Sequence, residues 1–359
     1  SHYYYSYYET MAKKEKREKE TLSMPRRIIK LISILLFLSG ACILAYPWAR
    51  DSYISSQNNR LIEEFDNMRL AGEESAQTDD DGVKNASEGG ETLPSDFLQG
   101  GFSELYTDMA AYNREIFENG QTGLHDAWDY EQETFSLEDY GLENGITGYL
   151  ESDAMGICLP LYIGASSEHL AEGAAVLGQT SMPIGGENTN CVIAGHRGWQ
   201  GAPMFRDIEE LQEGDIIWIT NPWERLAYRV VRITVITPDD IDAVKIVEGQ
   251  DMLTLFTCHP YTDNYQRYVV YCTRTHDAVY GETTYEEPPE ADSGLNSLLD
   301  EKQREHPEFV SSSDRISREK ILSVAGLGGA AILVVILVIY ILLSVKKKKG
   351  RRSKRRRVS

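Results

Sequence analysis

Residues 252–273 read MLTLFTCHPYTDNYQRYVVYCT. The run Thr254-Leu255-Phe256-Thr257-Cys258 reads as a strand that ends on a cysteine. Eight residues follow, His259 to Gln266, with Pro260 and Asn264 among them, and Arg267 opens a second strand. A hairpin of this shape sets Cys258 and Arg267 side by side at one end of a sheet. A guanidinium stays charged at any physiological pH. Beside a cysteine it favours the thiolate and stabilises negative charge on a carbonyl oxygen.

Working outward, strands are expected over Ile157 to Ile163, Cys191 to Ala194, Asp215 to Thr220, Leu226 to Ile236, Met252 to Cys258 and Tyr268 to Thr273. These runs are rich in Val, Ile, Thr and Tyr and are separated by Gly, Pro and Asn turns. A helical insert is expected over Ser166 to Leu177. Closely spaced strands with short helical inserts suggest an antiparallel barrel or a sandwich. Ahead of them, Leu105, Met109, Tyr112 and Ile116 recur at helical spacing, and Gly120 follows as a stop.

A third chemical element is Cys191-Val192-Ile193-Ala194-Gly195-His196-Arg197-Gly198, an apolar strand ending in a glycine-flanked histidine. Imidazole beside a thiol is the pairing used for acyl transfer: it protonates a leaving amine and deprotonates an incoming one. His259 adjoins Cys258, but in a continuing strand its side chain points to the opposite face, so His196 is the expected partner. The spacing of Cys191, His196, Cys258 and His259 matches no zinc pattern, and neither a metal nor a cofactor is expected.

The 359 residues carry a net charge of −20, unevenly placed. Residues 1–30 hold eight Lys/Arg and four Glu, and residues 346–359 hold ten Lys/Arg and no acid. Each basic segment adjoins an apolar run, Leu31 to Tyr46 and Ile321 to Val345. The second run meets the roughly 20 residues a span needs, and the first does so if Lys30 snorkels. Basic flanks stay in the cytoplasm, which places both termini inside and the acidic middle outside. The tails therefore face lipid headgroups, and no nucleic-acid partner is expected. A cleaved signal peptide is the alternative for the first run. Ser1 to Thr10 is Tyr-rich, and Met11 with the Lys/Glu stretch after it reads as a more natural start. Five cysteines without a framework favour buried thiols plus one functional thiol.

The string TLFTC at 254–258, with Arg267 nine residues beyond Cys258 and Gly195-His196-Arg197-Gly198 upstream, resembles the signature of the sortase family. Asn188-Thr189-Asn190, Pro260-Tyr261 and the stretch from Leu105 to Asn119 resemble its class C, pilin-polymerising branch. The similarity covers about residues 100–275. It implies a mostly β fold: a sortase-type closed β-barrel with short helices, an N-terminal helical and lid segment, and two flanking transmembrane helices. It implies Cys258, His196 and Arg267 as the catalytic triad, with Thr257 and Gly195 as support beside it. Class C sortases usually carry an Asp-Pro-aromatic lid. Here Asp126-Ala127-Trp128 takes that place, so Asp126 would pair with Arg267 and Trp128 would cover Cys258. Ala127 in place of proline leaves the segment less rigid.

The implied reaction cuts a Leu-Pro-x-Thr-Gly-like sorting signal between Thr and Gly and transfers it to an amine. That amine is a pilin lysine in the class C reading, or a peptidoglycan amine in a wall-anchoring one. Hydrolysis and a non-catalytic membrane scaffold are the other readings. The expected partners are pilins or other surface proteins with C-terminal sorting signals, at the membrane of a Gram-positive-type bacterium with the catalytic domain outside. No such signal precedes the second apolar run, so the chain reads as the enzyme and not its substrate. The expected segments are a basic N-terminus (1–27), a first span (28–49) and a juxtamembrane helix with acidic linker (50–100). Then come an N-terminal helix and lid (101–144), the catalytic barrel (145–283), a polar linker (284–320), a second span (321–345) and a polybasic tail (346–359).

Overall fold

The computed structural model describes residues 26–78, 102–124, 131–142, 144–276 and 308–356. Its contacts divide the chain into two units: Arg50–Arg318, and the segments on either side of it.

The first unit is built on eight strands. They are β1 (Gly148–Ser152), β2 (Ile157–Ile163), β3 (Ala174–Val176), β4 (Thr189–Ala194), β5 (Ile216–Thr220), β6 (Arg225–Ile236), β7 (Asp251–His259) and β8 (Gln266–Arg274). They close into a barrel in the order β1-β2-β3-β4-β7-β8-β6-β5. The antiparallel sheet expected from the sequence needs one correction: β2 pairs with β3, and β4 with β7, in parallel. The β4–β7 pair matters most, because it lays the strand leading to His196 alongside the strand carrying Cys258.

Two strands escape the sequence pattern. β1 is five residues with a Gly and a Glu in it, too short and mixed to alternate visibly. β3 lies inside the stretch expected to be helical over Ser166 to Leu177. The helix there, Ser167–Glu172, is only six residues long. Ala174 and Ala175 favour helix, but with Val176 they are buried between β2 and β4, and the pairing overrides propensity. Gly173 makes the change of direction possible: a Cβ there would stand 2.4 Å from the Pro160 carbonyl oxygen.

Inside the barrel, Leu253 and Leu255 of β7 and Val270 and Cys272 of β8 join one continuous core. Outside, Met252, Val269 and Tyr271 pack under the short 3-10 turn Ile241–Val244. The amphipathic helix is Ser103–Glu118 and buries Leu105, Met109 and Ile116. Its Asn113 accepts a hydrogen bond from the Met182 amide at 2.7 Å and so fixes the helix on the barrel.

The N-terminal helix, Arg26–Thr78, is continuous, with Pro47 inside it. It runs on through residues 70–78, part of the stretch expected to be linker, where Ala and Glu are good helix formers. Within the barrel unit its Phe65 is buried and meets Tyr149 edge-on at 6.1 Å. The C-terminal helix is Ser313–Arg356, so the expected polar linker ends several residues early. Both helices are long and apolar enough to cross a membrane. Leu35 and Val324 leave about 70% of their surface exposed.

Candidate active site

The site grows from the β7–β8 hairpin. In this ladder Cys258 lies opposite Arg267. Directly opposed residues of an antiparallel pair share a face. Along β7 the inward set is Leu253, Leu255, Thr257 and His259, all buried, while Phe256 and Cys258 are only partly covered. Cys258 and Arg267 are therefore together on the outer face. The Arg267 guanidinium donates to the carbonyls of Asn264 (3.1 Å) and Gln266 (2.9 Å) and sits 6.0 Å from the Phe256 ring centre. Those bonds fix its reach at the loop end of the hairpin.

His196 arrives on the neighbouring strand. Ala194 pairs with Phe256, and the Gly195 amide continues the ladder to the Phe256 carbonyl at 3.3 Å. Two residues beyond Ala194, His196 leaves β4 at the level of Cys258. Thr257 Oγ1 donates to the Gly195 carbonyl at 2.7 Å, and the His196 carbonyl accepts from the amides of Gly198 and Phe205, both at 2.9 Å. Glycine is required at 195, since a Cβ would meet the Phe205 ring at 2.8 Å. The imidazole stacks on Trp199, with ring centres 4.4 Å apart and 13° between planes. Partial burial pushes its pKa below the ordinary value, so the ring is neutral near pH 7.

The other thiols are placed differently. Among the described residues all five cysteines are free. Cys191 and Cys272 are buried, and burial pushes both thiols upward. Burial first, and then the Glu151 carboxylate, raises Cys158 to about 12. A raised thiol is a poor nucleophile. Cys258 is partly exposed and lies opposite Arg267 in the ladder, and it is the thiol placed for chemistry.

His259 is fully buried and turned to the other face of β7. Arg197 Nη1 donates to its Nδ1 at 2.5 Å, and Arg197 Nη2 pairs with Glu209. Burial, and then the Arg197 charge, pushes the His259 pKa down to about 4. Trp199, Arg197 and Glu209 are the contributors that sequence reasoning missed. Trp199 and Arg197 stand in the same short loop as His196, but a single tryptophan or arginine there gives no sign of what it touches. Asp126 and Trp128 lie outside the described residues. Among the described residues no three His, Cys, Asp or Glu side chains converge as metal ligands.

Residues 150–275 match the family model for the sortase domain. A sortase A of Bacillus anthracis is 30% identical over 125 residues, which is 35% of this chain and 58% of that protein. The chain thus spans less than two thirds of the length of that curated relative. Among solved structures, a sortase C from Clostridium perfringens is 33% identical and covers 51% of this chain and 92% of its own, with a TM-score of 0.40. A pilus-related sortase C of Group B Streptococcus is 30% identical and covers 48% and 90%, with a TM-score of 0.41.

Proposed function

We propose that the chain, whose residues 150–275 match the sortase domain, is a membrane-anchored cysteine transpeptidase acting through Cys258. The observation that supports the reading is the β7–β8 register, in which Cys258 lies opposite Arg267, together with the parallel β4–β7 pairing that ends at Ala194 and Phe256, two residues before His196 and Cys258.

The substrate is a Leu-Pro-x-Thr-Gly-like sorting signal. As Cys258 Sγ attacks the threonine carbonyl, the thiol proton passes to the neutral His196. Arg267 stabilises the charge that develops on the carbonyl oxygen. The Thr–Gly C–N bond then breaks, the glycine amine leaves with the His196 proton, and a thioester remains on Cys258. An incoming amine loses a proton to His196 and attacks the thioester. A new C–N bond forms, the C–S bond breaks, and the thiol is regenerated. The class C-like stretches Asn188-Thr189-Asn190 and Pro260-Tyr261 support a pilin lysine as the amine, which yields an isopeptide-linked polymer.

The two long apolar helices support anchoring, with the barrel outside and both termini in the cytoplasm. Anchoring confines enzyme and substrates to one membrane face and raises their effective concentration. The sequence resemblance supports a lid role for Asp126 and Trp128, which lie outside the described residues.

A partition experiment tests the acceptor. The full chain in nanodiscs is given a sorting-signal peptide with a lysine-bearing pilin domain, a peptidoglycan stem peptide, or neither. The proposal expects the isopeptide product with the pilin domain and its loss in Cys258→Ala. Exclusive transfer to the stem peptide would make the chain a wall-anchoring enzyme, and release to water alone would make it a hydrolase.

A further inference from the structure

The loop between Cys258 and Arg267 is held from outside the barrel by the segment that leads into the C-terminal helix. Five residues of His259–Gln266 are engaged: His259, Tyr261, Thr262, Asp263 and Gln266. Phe309 stacks on His259 with ring centres 5.5 Å apart and 11° between planes, and it also borders Tyr268 at 6.3 Å. Ser312 Oγ accepts from the Tyr261 amide at 2.9 Å. Arg315 Nη1 donates to the Tyr261 carbonyl (2.9 Å), Thr262 Oγ1 (2.7 Å) and Asp263 Oδ2 (3.0 Å). Gln266 Nε2 reaches the Glu308 carbonyl at 3.4 Å. Ser312 and Ile316 are almost fully buried, so the segment is packed down and not merely passing by.

The same segment ends on a charged hub. Glu209 accepts from the Ser312 amide (2.9 Å) and Ser311 Oγ (3.0 Å), and on its other side pairs with Arg197. Arg197 is 1% exposed, follows His196 in the chain, and reaches both the Cys258 carbonyl (3.5 Å) and His259 Nδ1 (2.5 Å). A buried guanidinium of this kind is tolerated only while its partners hold it. Segment, Glu209, Arg197 and the backbone of Cys258 thus form one connected network.

We propose that Glu308–Arg315 is a positioning strap, and that Glu209 and Arg197 are positioning residues through which it holds the Cys258–Arg267 hairpin against the His196 loop. This rests on the transpeptidase reading above. None of these residues touches substrate. They set the alignment on which acyl transfer depends, where misplacement by about 1 Å can cost on the order of a hundredfold in rate. Because the strap runs directly into the apolar helix, a chain cut before Glu308 loses both its second anchor and this support.

The test uses the full chain in nanodiscs and the double variant Phe309→Ala/Arg315→Ala, with Glu209→Gln and the conservative Phe309→Tyr alongside. Amide exchange over residues 260–266 should rise about tenfold in the double variant while that of β1 and β2 stays unchanged. The rate of Cys258 alkylation at fixed pH should rise about threefold, since the backbone of Cys258 is no longer held through Arg197. With a sorting-signal peptide, kcat should fall about tenfold at an unchanged KM. Glu209→Gln should follow the double variant, and Phe309→Tyr should behave as the parent. Unchanged exchange over 260–266 would overturn the strap, and raised exchange with an unchanged rate of Cys258 alkylation would overturn its positioning role. Exchange and alkylation need no turnover. An inactive parent would therefore refute the transpeptidase reading while these two measurements still decided the strap.

Discussion

Thr257 Oγ1 donates a hydrogen bond to the Gly195 carbonyl at 2.7 Å, so the residue before the cysteine holds the residue before the histidine. The bond is buried and crosses between β7 and the end of β4. Thr257→Val keeps the shape and removes the donor. It should destabilise the fold by about 1–3 kcal/mol, because the Gly195 carbonyl is left unpaired out of water. It should also lower kcat about tenfold by freeing the His196 loop. Thr257→Ser should restore both. Chemical denaturation and steady-state kinetics on the three proteins check this.

Arg267 acts as a fixed planar cation whose two carbonyl bonds set its direction. Lysine keeps the charge but not the fork. Arg267→Ala should lower kcat/KM by about a hundredfold or more. Arg267→Lys should recover only part of that loss, with Cys258 still alkylated in both variants. Equal activity of the lysine variant and the parent would reduce the role of Arg267 to charge alone.

Acid should weaken the barrel through the Arg197–Glu209–His259 cluster. The His259 pKa is depressed to about 4 by burial and then by Arg197. The unfolded chain takes up that proton near pH 6.5, and the folded chain does not until about 4. Stability from this group is therefore complete above about pH 6.5 and is lost as pH falls towards 4, a loss on the order of 2–3 kcal/mol. Glu209 adds to the trend. Burial raises its pKa, but the Ser312 amide, Arg197 and the Ser311 hydroxyl outweigh that and hold it below the ordinary range. Its contribution is present above its unfolded pKa and fades as pH falls through the folded one. Thermal unfolding between pH 7.5 and 5 should show a falling Tm, and His259→Asn should flatten the slope.

How much of this could be read from the sequence depends on how local the signal is. The hairpin carrying Cys258 and Arg267 was legible because two strongly patterned strands and a short loop fix the register between them. The apolar helices were legible for the same reason: a charge-free run of such length has few other uses. The pairing of β4 with β7 was not legible, because nothing along either strand states which distant strand lies beside it. The Ala174–Val176 strand was hidden by its brevity and by two alanines whose own preference is helical. Glu209 and Ser312 carry no local mark at all. Their meaning comes only from a contact across more than a hundred residues of chain.

The central claim is that Cys258 forms a thioester with a sorting signal. Intact mass of the full chain, incubated with a set of Leu-Pro-x-Thr-Gly peptides, tests it most directly, with Trp128→Ala to open the proposed lid and Cys258→Ala as control. A mass increase matching the peptide cut after threonine is expected, absent in Cys258→Ala and reversed by hydroxylamine. A folded, alkylatable Cys258 that gains no adduct and cleaves no peptide would contradict it.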